Sequence, residues 1–296
     1  MQTQEKQSKI FVRFLFPLFP IKILKATNSM AIIAVLIALR LVMQLISVPI
    51  PAVTQTISLS WVPLMIMGWY FGPIYGFLLG AVCDTLSYFI FSGGVWFWMY
   101  AIQEPLVAVI LGIFGGVCRL RRSKVNANMV NDVIAQQLIY AIFAVASYVI
   151  VILWLTKDRS IPSYQSHAYV IYKYLSLSLI TTFFIAMEFF GFYNIIHRKE
   201  NKFKTITFIY ASSAVVVVML IFSFALGPIS TVAYYKYLHN GKEPSSWLQY
   251  GAVYYLIPRL IVQSIKVPIE ATLLTSLVFV LDPKIDRMLL NINNRW

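Results

Sequence analysis

The sequence has 296 residues, of which 59% are hydrophobic and only 12% are charged, and its mean hydropathy is +0.75. A soluble domain keeps about a quarter of its residues charged to cover its surface, so this composition excludes a water-soluble protein and indicates an integral membrane protein. The net charge of +13 comes from basic residues that lie mainly between apolar runs. There they report membrane topology, and no nucleic-acid partner is predicted.

Eight apolar runs are candidates for membrane-spanning helices, since a helix needs about 20 apolar residues to cross the hydrocarbon core. The second run is short, and Gly72-Pro73 predicts a tight turn to the third. The first 29 residues are predicted to form a cytoplasmic or interfacial segment, and residues 282–296 a cytoplasmic tail. The eight runs are residues 30–48, 58–71, 72–91, 96–118, 134–155, 170–196, 206–227 and 254–281.

The distribution of basic residues predicts the orientation of these runs. With the N-terminus inside, sixteen lysines and arginines fall in the inner segments and five in the outer loops. Because cytoplasmic loops carry the excess of positive charge, both termini are predicted to be cytoplasmic.

Residues 49–58, between the first two runs, carry no charge. Two prolines interrupt this segment, and Thr54, Thr56 and Ser58 alternate with apolar neighbours, which predicts an extended conformation. An uncharged extended loop on the outer face is typical of a lid over a pocket and, equally, of an ordinary structured connection. The sequence leaves both interpretations open.

Apart from Lys173, which lies at the start of the sixth run and is counted with the outer loops, seven charged residues lie inside the predicted spans, where each costs at least about 2.5 kcal/mol unless it is paired, hydrated or able to reach the interface. This cost makes them the best candidates for a functional site. Three positive and four negative charges also allow a purely structural set of ion pairs. The seven are Arg40, Asp84, Glu104, Glu188, Arg259, Lys266 and Glu270.

Polar residues of the last run share one helix face, because offsets of 0, 4, 7 and 11 residues form a single stripe at about 100° per residue. Arg259 and Lys266 are predicted to clamp an anionic ligand, Arg259 with a bidentate fork and Lys266 as a point charge. Glu270 is predicted to hold Lys266 in place. The stripe consists of Arg259, Gln263, Lys266 and Glu270, and the first three are candidate ligand residues.

The first run has two different faces. Arg40 and Gln44 share one face and are candidates to contact a ligand. Three alanines lie roughly opposite, where small side chains allow a partner helix to approach closely. Ordinary packing inside the bundle explains them equally well. The candidate docking residues are Ala31, Ala34 and Ala38.

Between the third and fourth runs, acidic and aromatic residues lie close together in the sequence. Glycines at four-residue steps in the third run predict close helix packing, and the run ends near Asp84 and Tyr88. An aromatic cluster follows, which is typical either of an interfacial belt or of a platform that stacks on a flat ring. The candidate ligand residues of this stretch are Asp84, Tyr88, Trp96, Trp98, Gln103 and Glu104, with Tyr100 as a further candidate for stacking on a ring.

Several catalytic motifs are missing from the sequence. It has neither a GxxxxGK[ST] phosphate loop nor an HExxH zinc motif, so ATP hydrolysis by that loop and metalloprotease activity are not predicted. The two cysteines have no metal-binding or disulfide spacing. We therefore predict a protein that is not an enzyme, with no cofactor and no metal site.

Three stretches of the sequence together resemble a known family. They are Ala34-x-x-x-Ala38-x-Arg40 with the loop after it, Phe71-Gly-Pro-x-x-Gly-x-x-x-Gly80 with Asp84, and Pro258-Arg259 through Lys266 and Pro268 to Glu270. In this order and spacing they are similar to the substrate-binding S components of energy-coupling factor (ECF) vitamin transporters, most closely the folate group, FolT.

The resemblance implies a six-helix S-component bundle in a bacterial plasma membrane. It covers residues 30–118 as helices 1–4 and residues 206–281 as helices 5 and 6. Residues 119–205 would then be an inserted helical pair with basic cytoplasmic flanks, giving about eight helices. Glu188 belongs to this pair and is a poor candidate for the ligand site.

The resemblance also implies a function. An S component captures a vitamin at the outer face and associates, here through the alanine face, with a transmembrane T subunit and two ATPase subunits. For a folate-like ligand, Arg259 and Lys266 would meet carboxylates, Asp84 would accept hydrogen bonds from the pterin, and Trp96, Trp98 or Tyr100 would stack on its rings. The stretch 96–104 departs from the family pattern and leaves the particular vitamin open.

Three alternatives remain at this stage. The chain can be an S component for another vitamin, such as riboflavin or pantothenate. A proton-coupled secondary transporter would use Asp84 and Glu104 as a proton relay. A membrane enzyme or assembly factor is a third class, but the sequence shows no catalytic constellation for it.

Overall fold

The computed structural model of the chain describes residues 14–15, 27–51, 53, 55–91, 95–123, 129–157, 161–196 and 202–293. Almost all of these residues are helical, and two short strands follow the first helix. The helices are α1 (Thr27–Leu45), α2 (Trp61–Phe91), α3 (Trp98–Ala101), α4 (Gln103–Ser123), α5 (Met129–Lys157), α6 (His167–Ile196), α7 (Lys202–Met219), α8 (Leu226–Leu238), α9 (Ser245–Tyr250) and α10 (Val253–Asn293).

Six helical segments in the described ranges are long and apolar enough to cross a membrane. The apolar part of α1, Ser29–Leu45, is shorter than these six. The predicted all-α membrane architecture is therefore confirmed, while the cytoplasmic position of both termini stays a prediction. The six segments are Trp61–Phe91, Trp98–Arg122, Met129–Thr156, His167–Phe190, Lys202–Leu238 and Val253–Ile285.

The strands β1 (Ser47–Pro49) and β2 (Thr56–Ser58) form an antiparallel hairpin between α1 and α2. Ser47 pairs with Ser58, and Pro49 pairs with Thr56. Proline cannot continue a helix here and lacks the backbone N–H, which favours a short edge strand. The extended conformation predicted for this connection is confirmed. The segment 46–60, which is predicted to lie on the outer face, is called the outer hairpin below.

Helix α2 consists of two halves that reverse direction at Gly72. Gly72 has φ 85° and ψ 176°, a backbone conformation that residues with a Cβ rarely adopt. A Cβ on Gly76 would lie 3.2 Å from the Cα of Gly68, whereas eight residues of one straight helix rise about 12 Å. The halves 61–71 and 73–91 therefore lie side by side, and the predicted turn at Gly72-Pro73 is confirmed.

Helix α4 packs directly on this reversal. A Cβ on Gly112 would lie 2.4 Å from the Pro73 nitrogen, and one on Gly80 would lie 2.6 Å from the Pro105 Cα. Arg119 donates from Nη1 to the Trp69 carbonyl at 2.7 Å. This carbonyl lies in the last turn of the first half, where carbonyls lack helical partners and a positive charge is favourable.

Replacing Gly112 by alanine is expected to lower the free energy of unfolding by about 1 to 3 kcal/mol, because the added methyl group meets backbone atoms that cannot rotate away. Urea unfolding in mixed micelles measures the change. The control is Ala135→Val on the exposed face of α5, which adds volume where nothing is packed. Equal stability of the two variants would contradict the close approach of α4 to Gly72-Pro73.

Polar contacts fasten the α5–α6 pair to the rest of the bundle. Gln136 of α5 donates from Nε2 to the Tyr140 hydroxyl and to the Ser212 hydroxyl of α7, both at 2.9 Å. One turn earlier on the same face, Asp132 binds Arg121 of α4 at 2.9 Å and accepts a hydrogen bond from Tyr210 at 2.7 Å. Hydrogen bonds of this kind join helices where lipid offers no hydrophobic driving force.

The last two predicted runs are longer than the sequence indicates. The run 206–227 belongs to a unit of α7, a six-residue π-helical segment Leu220–Ala225, and α8. Helix α10 has 41 residues and therefore measures about 62 Å. It continues through residue 293, so the first part of the predicted cytoplasmic tail is helical. Asp282 in that part binds Arg122 at 2.8 Å and accepts from Tyr70 at 2.8 Å.

A candidate ligand-binding cavity

A buried ion pair joins α1 to α4. Arg40 and Glu104 are only 3% and 7% exposed, and their charged groups are in direct contact, with Nε and Oε2 3.3 Å apart. Arg40 also donates from Nη1 to Gln44 Oε1 at 2.7 Å, and Ser87 donates to the same oxygen at 2.5 Å. Arg40 and Glu104 thus neutralise each other. They form a structural ion pair, which was one of the two interpretations that the sequence left open for the buried charges.

A cavity of about 320 Å³ lies beside this ion pair. Five residues predicted to contact a ligand line it, namely Gln44, Asp84, Tyr88, Trp96 and Tyr100. Asp84 makes no hydrogen bond or ion pair with any residue that the structure describes, although the charge of Arg40 acts on it. The cavity therefore presents a carboxylate without a hydrogen-bonded protein partner, which a ligand with N–H donors or a positive charge would satisfy. The other lining residues are Ser87, Phe91, Val95, Phe97, Ala101 and Tyr234.

Aromatic rings form one wall of the cavity. The centroids of Phe97 and Tyr100 both lie 5.5 Å from that of Tyr234, and Phe97 and Tyr100 are 5.8 Å apart. Such a wall can stack on a planar ring. Trp98 does not line the cavity and is 58% exposed, and Gln103 is also absent from the lining. Their positions give no support to the predicted ligand contacts of Trp98 and Gln103.

The polar stripe of α10 lies inside the bundle but outside the wall of this cavity. Arg259 donates from Nη2 to the Gly227 carbonyl at 3.0 Å and to the Thr231 hydroxyl at 2.8 Å. Gln263 donates to Ser223 of the π-helical segment at 3.0 Å. The structure therefore separates the predicted ligand residues into a cavity group and an α10 group.

Within the α10 group, only Lys266 is paired with an acidic residue. Its Nζ lies 3.4 Å from Glu270 Oε1 and 4.7 Å from the centre of the Trp61 ring, and Glu270 is fully buried. Arg259 has no carboxylate partner among the described residues, its Nε is buried without a hydrogen bond, and its partner Thr231 lies three residues before Tyr234 of the cavity wall. A positive charge without a counter-ion thus lies next to the cavity.

Sequence reasoning missed Tyr234, Phe97 and Ser87 as wall residues. Tyr234 lies in α8, about 130 residues after the other wall residues, and an isolated tyrosine near the end of an apolar run is typical of the membrane interface. Only the position of Ser87 three residues after Asp84, on the same helix face, could have indicated one of these residues.

The three candidate docking alanines lie on the surface of the described bundle. Ala31, Ala34 and Ala38 are all exposed on α1. An apolar groove of about 520 Å³ begins at Ala31 and runs between α1, the first half of α2 and the distal end of α10. Its other lining residues are Ile32, Val35, Leu36, Ile66, Tyr70, Phe71, Leu281, Lys284 and Ile285.

A family model matches more than half of the chain. A family model described as the S component of the ECF-type riboflavin transporter matches residues 25–187. "Uncharacterized protein MG313" of Mycoplasma genitalium is 29% identical over 293 residues, which cover 95% of this chain and 99% of that protein. No solved structure matches.

Two shorter similarities involve proteins of other bacteria. The folate transporter FolT of Clostridium novyi is 30% identical over 92 residues, which cover 31% of this chain and 52% of that protein. A UPF0397 protein of Streptococcus gordonii is 30% identical over 83 residues, which cover 28% of this chain and 44% of that protein.

Proposed function

The chain belongs to the family of ECF-type riboflavin transporter S components, and on this premise we propose that it captures its vitamin in the cavity around Asp84. As an S component it is a vitamin-binding subunit of an ECF transporter in the cell membrane. In this proposal it delivers the vitamin through a T subunit driven by two ATPase subunits. That residues 119–205 are an insertion into a six-helix bundle stays a prediction, since the matching family model itself extends through α5 and into α6, as far as residue 187.

The unpaired carboxylate of Asp84 in an aromatic cavity carries the proposal. Asp84 is only partly buried and lines the cavity, so its carboxylate can accept hydrogen bonds from a ligand that enters there. The rings of Trp96, Phe97, Tyr100 and Tyr234 offer stacking surfaces beside it. A flat heteroaromatic ring with N–H groups fits both features.

Folate is the vitamin that we prefer. Its pterin ring would donate its amino group and ring N–H to Asp84 and stack on Trp96 or Tyr100, and its glutamate carboxylates would reach Arg259. The similarity to the folate transporter of C. novyi supports this choice. Riboflavin is the second candidate, because the matching family model describes a riboflavin transporter.

Binding of single vitamins to the purified chain tests the proposal. Titration of folate, riboflavin and pantothenate is expected to give submicromolar binding of one of them without ATP, with quenching of tryptophan fluorescence because Trp96 lines the cavity. Binding of none of them would contradict the proposal. Uptake into liposomes by the purified chain alone, driven by a pH gradient, would instead support a proton-coupled secondary transporter.

Replacing Arg259 by alanine is expected to weaken binding of a carboxylate-bearing vitamin about tenfold, roughly the 1.4 kcal/mol of one charge-assisted hydrogen bond. Affinity for an uncharged analogue should change less than twofold. Titration calorimetry on both ligands measures the difference. The control is Lys236→Ala, which removes an exposed cation of α8 that is paired with Glu243. Equal losses for both ligands would remove Arg259 from the carboxylate site.

Replacing Ala34 by tryptophan is expected to block vitamin uptake while leaving vitamin affinity within twofold. In this proposal the T subunit docks on the face of Ala31, Ala34 and Ala38, and a large side chain prevents its close approach. Uptake in cells that co-express the partner subunits measures transport. The control is Ile171→Trp on the exposed face of α6. Normal uptake by the Ala34 variant would contradict docking at this face.

A further inference from the structure

The protein has a second hydrophobic core at the end of the bundle that carries the outer hairpin. It is separate from the main core and is built from four parts of the chain, the hairpin, α5, α6 and α10, together with the α5–α6 connection. Trp154 of α5 is 1% exposed in it and lies edge-on to Tyr169 of α6, with centroids 6.2 Å apart. Within the described ranges, no residue of α2 to α4 belongs to this core.

The outer hairpin contributes its buried side chains to this second core. Ile50 and Val53 are buried there, and Ile57 packs against it. Val48 is exposed, whereas Leu59 packs against the main core and Ser58 donates its hydroxyl to the Met43 carbonyl of α1 at 3.5 Å. None of the described hairpin residues lines the cavity around Asp84. Ile50 and Val53 are thus held by the second core, away from the cavity.

The connection between α5 and α6 closes this core from outside. Ile161 is fully buried in it, and a 3-10 turn, Pro162–Tyr164, follows. Tyr164 donates its hydroxyl to the Tyr254 carbonyl in the first turn of α10 at 2.5 Å, and the two rings stack with centroids 5.4 Å apart. Burial raises the pKa of the Tyr164 hydroxyl, so this group stays protonated and remains a donor.

We propose that the outer ends of α5 and α6 form a clamp that holds the outer hairpin against α10, so that the hairpin is a fixed wall of the protein and not a moving lid. The clamp consists of Trp154, Ile161, Tyr164 and Tyr169. Lifting the hairpin would expose Ile50, Val53 and Ile161 together, and each of these side chains resists transfer to water. Without the clamp, Ile50 and Val53 would keep only the part of this core that α10 supplies, while Ser58 and Leu59 would still hold the other end of the hairpin to α1 and the main core.

The role of this clamp in ligand exchange rests on the proposed function, since the cavity is the proposed vitamin site. Vitamin association would then proceed with the hairpin closed. The clamp itself is a property of the empty protein. It can therefore be tested without any ligand.

Hydrogen exchange of the hairpin amides provides the test, measured by mass spectrometry on the vitamin-free chain in nanodiscs. Ile161→Ala is expected to raise the exchange rate of peptides covering residues 46–60 at least tenfold, with the peptides of α1 unchanged. The matched control is Ile171→Ala, the same truncation on the exposed face of α6, and it should leave hairpin exchange within twofold. Unchanged hairpin exchange in the Ile161 variant would overturn the clamp.

A second variant distinguishes local release of the hairpin from general unfolding of the protein. Tyr164→Phe keeps the stacked ring and removes only the hydroxyl donor, and it should speed exchange mainly at the start of α10. If hairpin and α1 peptides instead exchange faster together in both variants, the clamp is overturned in favour of global loosening. If the wild-type chain binds no vitamin, the proposed function is contradicted. The hydrogen-exchange comparison still tests the clamp, because it uses the vitamin-free chain.

Discussion

Replacing Glu104 by alanine is expected to lower the free energy of unfolding by about 3 to 5 kcal/mol, because it leaves the guanidinium of Arg40 buried without a counter-ion. Both side chains are almost fully buried, so water cannot replace the lost carboxylate. Denaturant unfolding in mixed micelles measures the change. A loss below about 1 kcal/mol would show that the pair behaves like an exposed one.

The exposed pair between Lys236 and Glu243 is the matched control for the buried one. Its side chains are 41% and 35% exposed, so Glu243→Ala should cost at most about 1 kcal/mol. Replacing both buried partners, with Arg40→Met and Glu104→Leu, should recover most of the stability, because no charge then remains inside the bundle. If the double variant is as unstable as the single one, lost packing and not the unpaired charge explains the effect.

Replacing Asp84 by asparagine is expected to weaken vitamin binding about 10- to 100-fold, since a hydrogen bond to a charged acceptor contributes roughly 1.5 to 3 kcal/mol. The asparagine side chain has nearly the same shape but lacks the charge, and its NH₂ group competes with the donors of the ligand. Titration of the preferred vitamin against the purified variant measures the loss.

The neighbouring residue supplies the control for Asp84. Thr85 is exposed and donates only to the Ala81 carbonyl of its own helix, so Thr85→Ala should leave affinity within twofold. Stability of the Asp84 variant should equal or exceed that of the wild type, because no described residue pairs with this carboxylate. Unchanged affinity in a folded Asp84→Asn protein would remove Asp84 from the binding site.

Composition and local patterns already determined the class of protein and much of its helical organisation. Long apolar runs have no stable alternative to helices in a lipid bilayer, because every backbone N–H and C=O must be satisfied within the segment. The turn at Gly72-Pro73 and the extended outer hairpin also follow from local chemistry, since glycine allows a positive φ and proline cannot continue a helix. The predicted ends of the last two runs were wrong: α8 and α10 extend beyond them, because a helix can continue past the membrane without losing its hydrogen bonds.

Only the tertiary structure decided what each buried charge does. Arg40 and Glu104 are 64 residues apart in the chain, yet they neutralise each other, while Asp84 faces a cavity without a partner. Arg259 and Lys266 share one stripe of α10, but neither lines that cavity. Helical periodicity shows which residues share a face of one helix. It does not show which neighbouring helix packs against that face. The partner of a buried charge lies on that neighbouring helix, so only the tertiary structure identifies it.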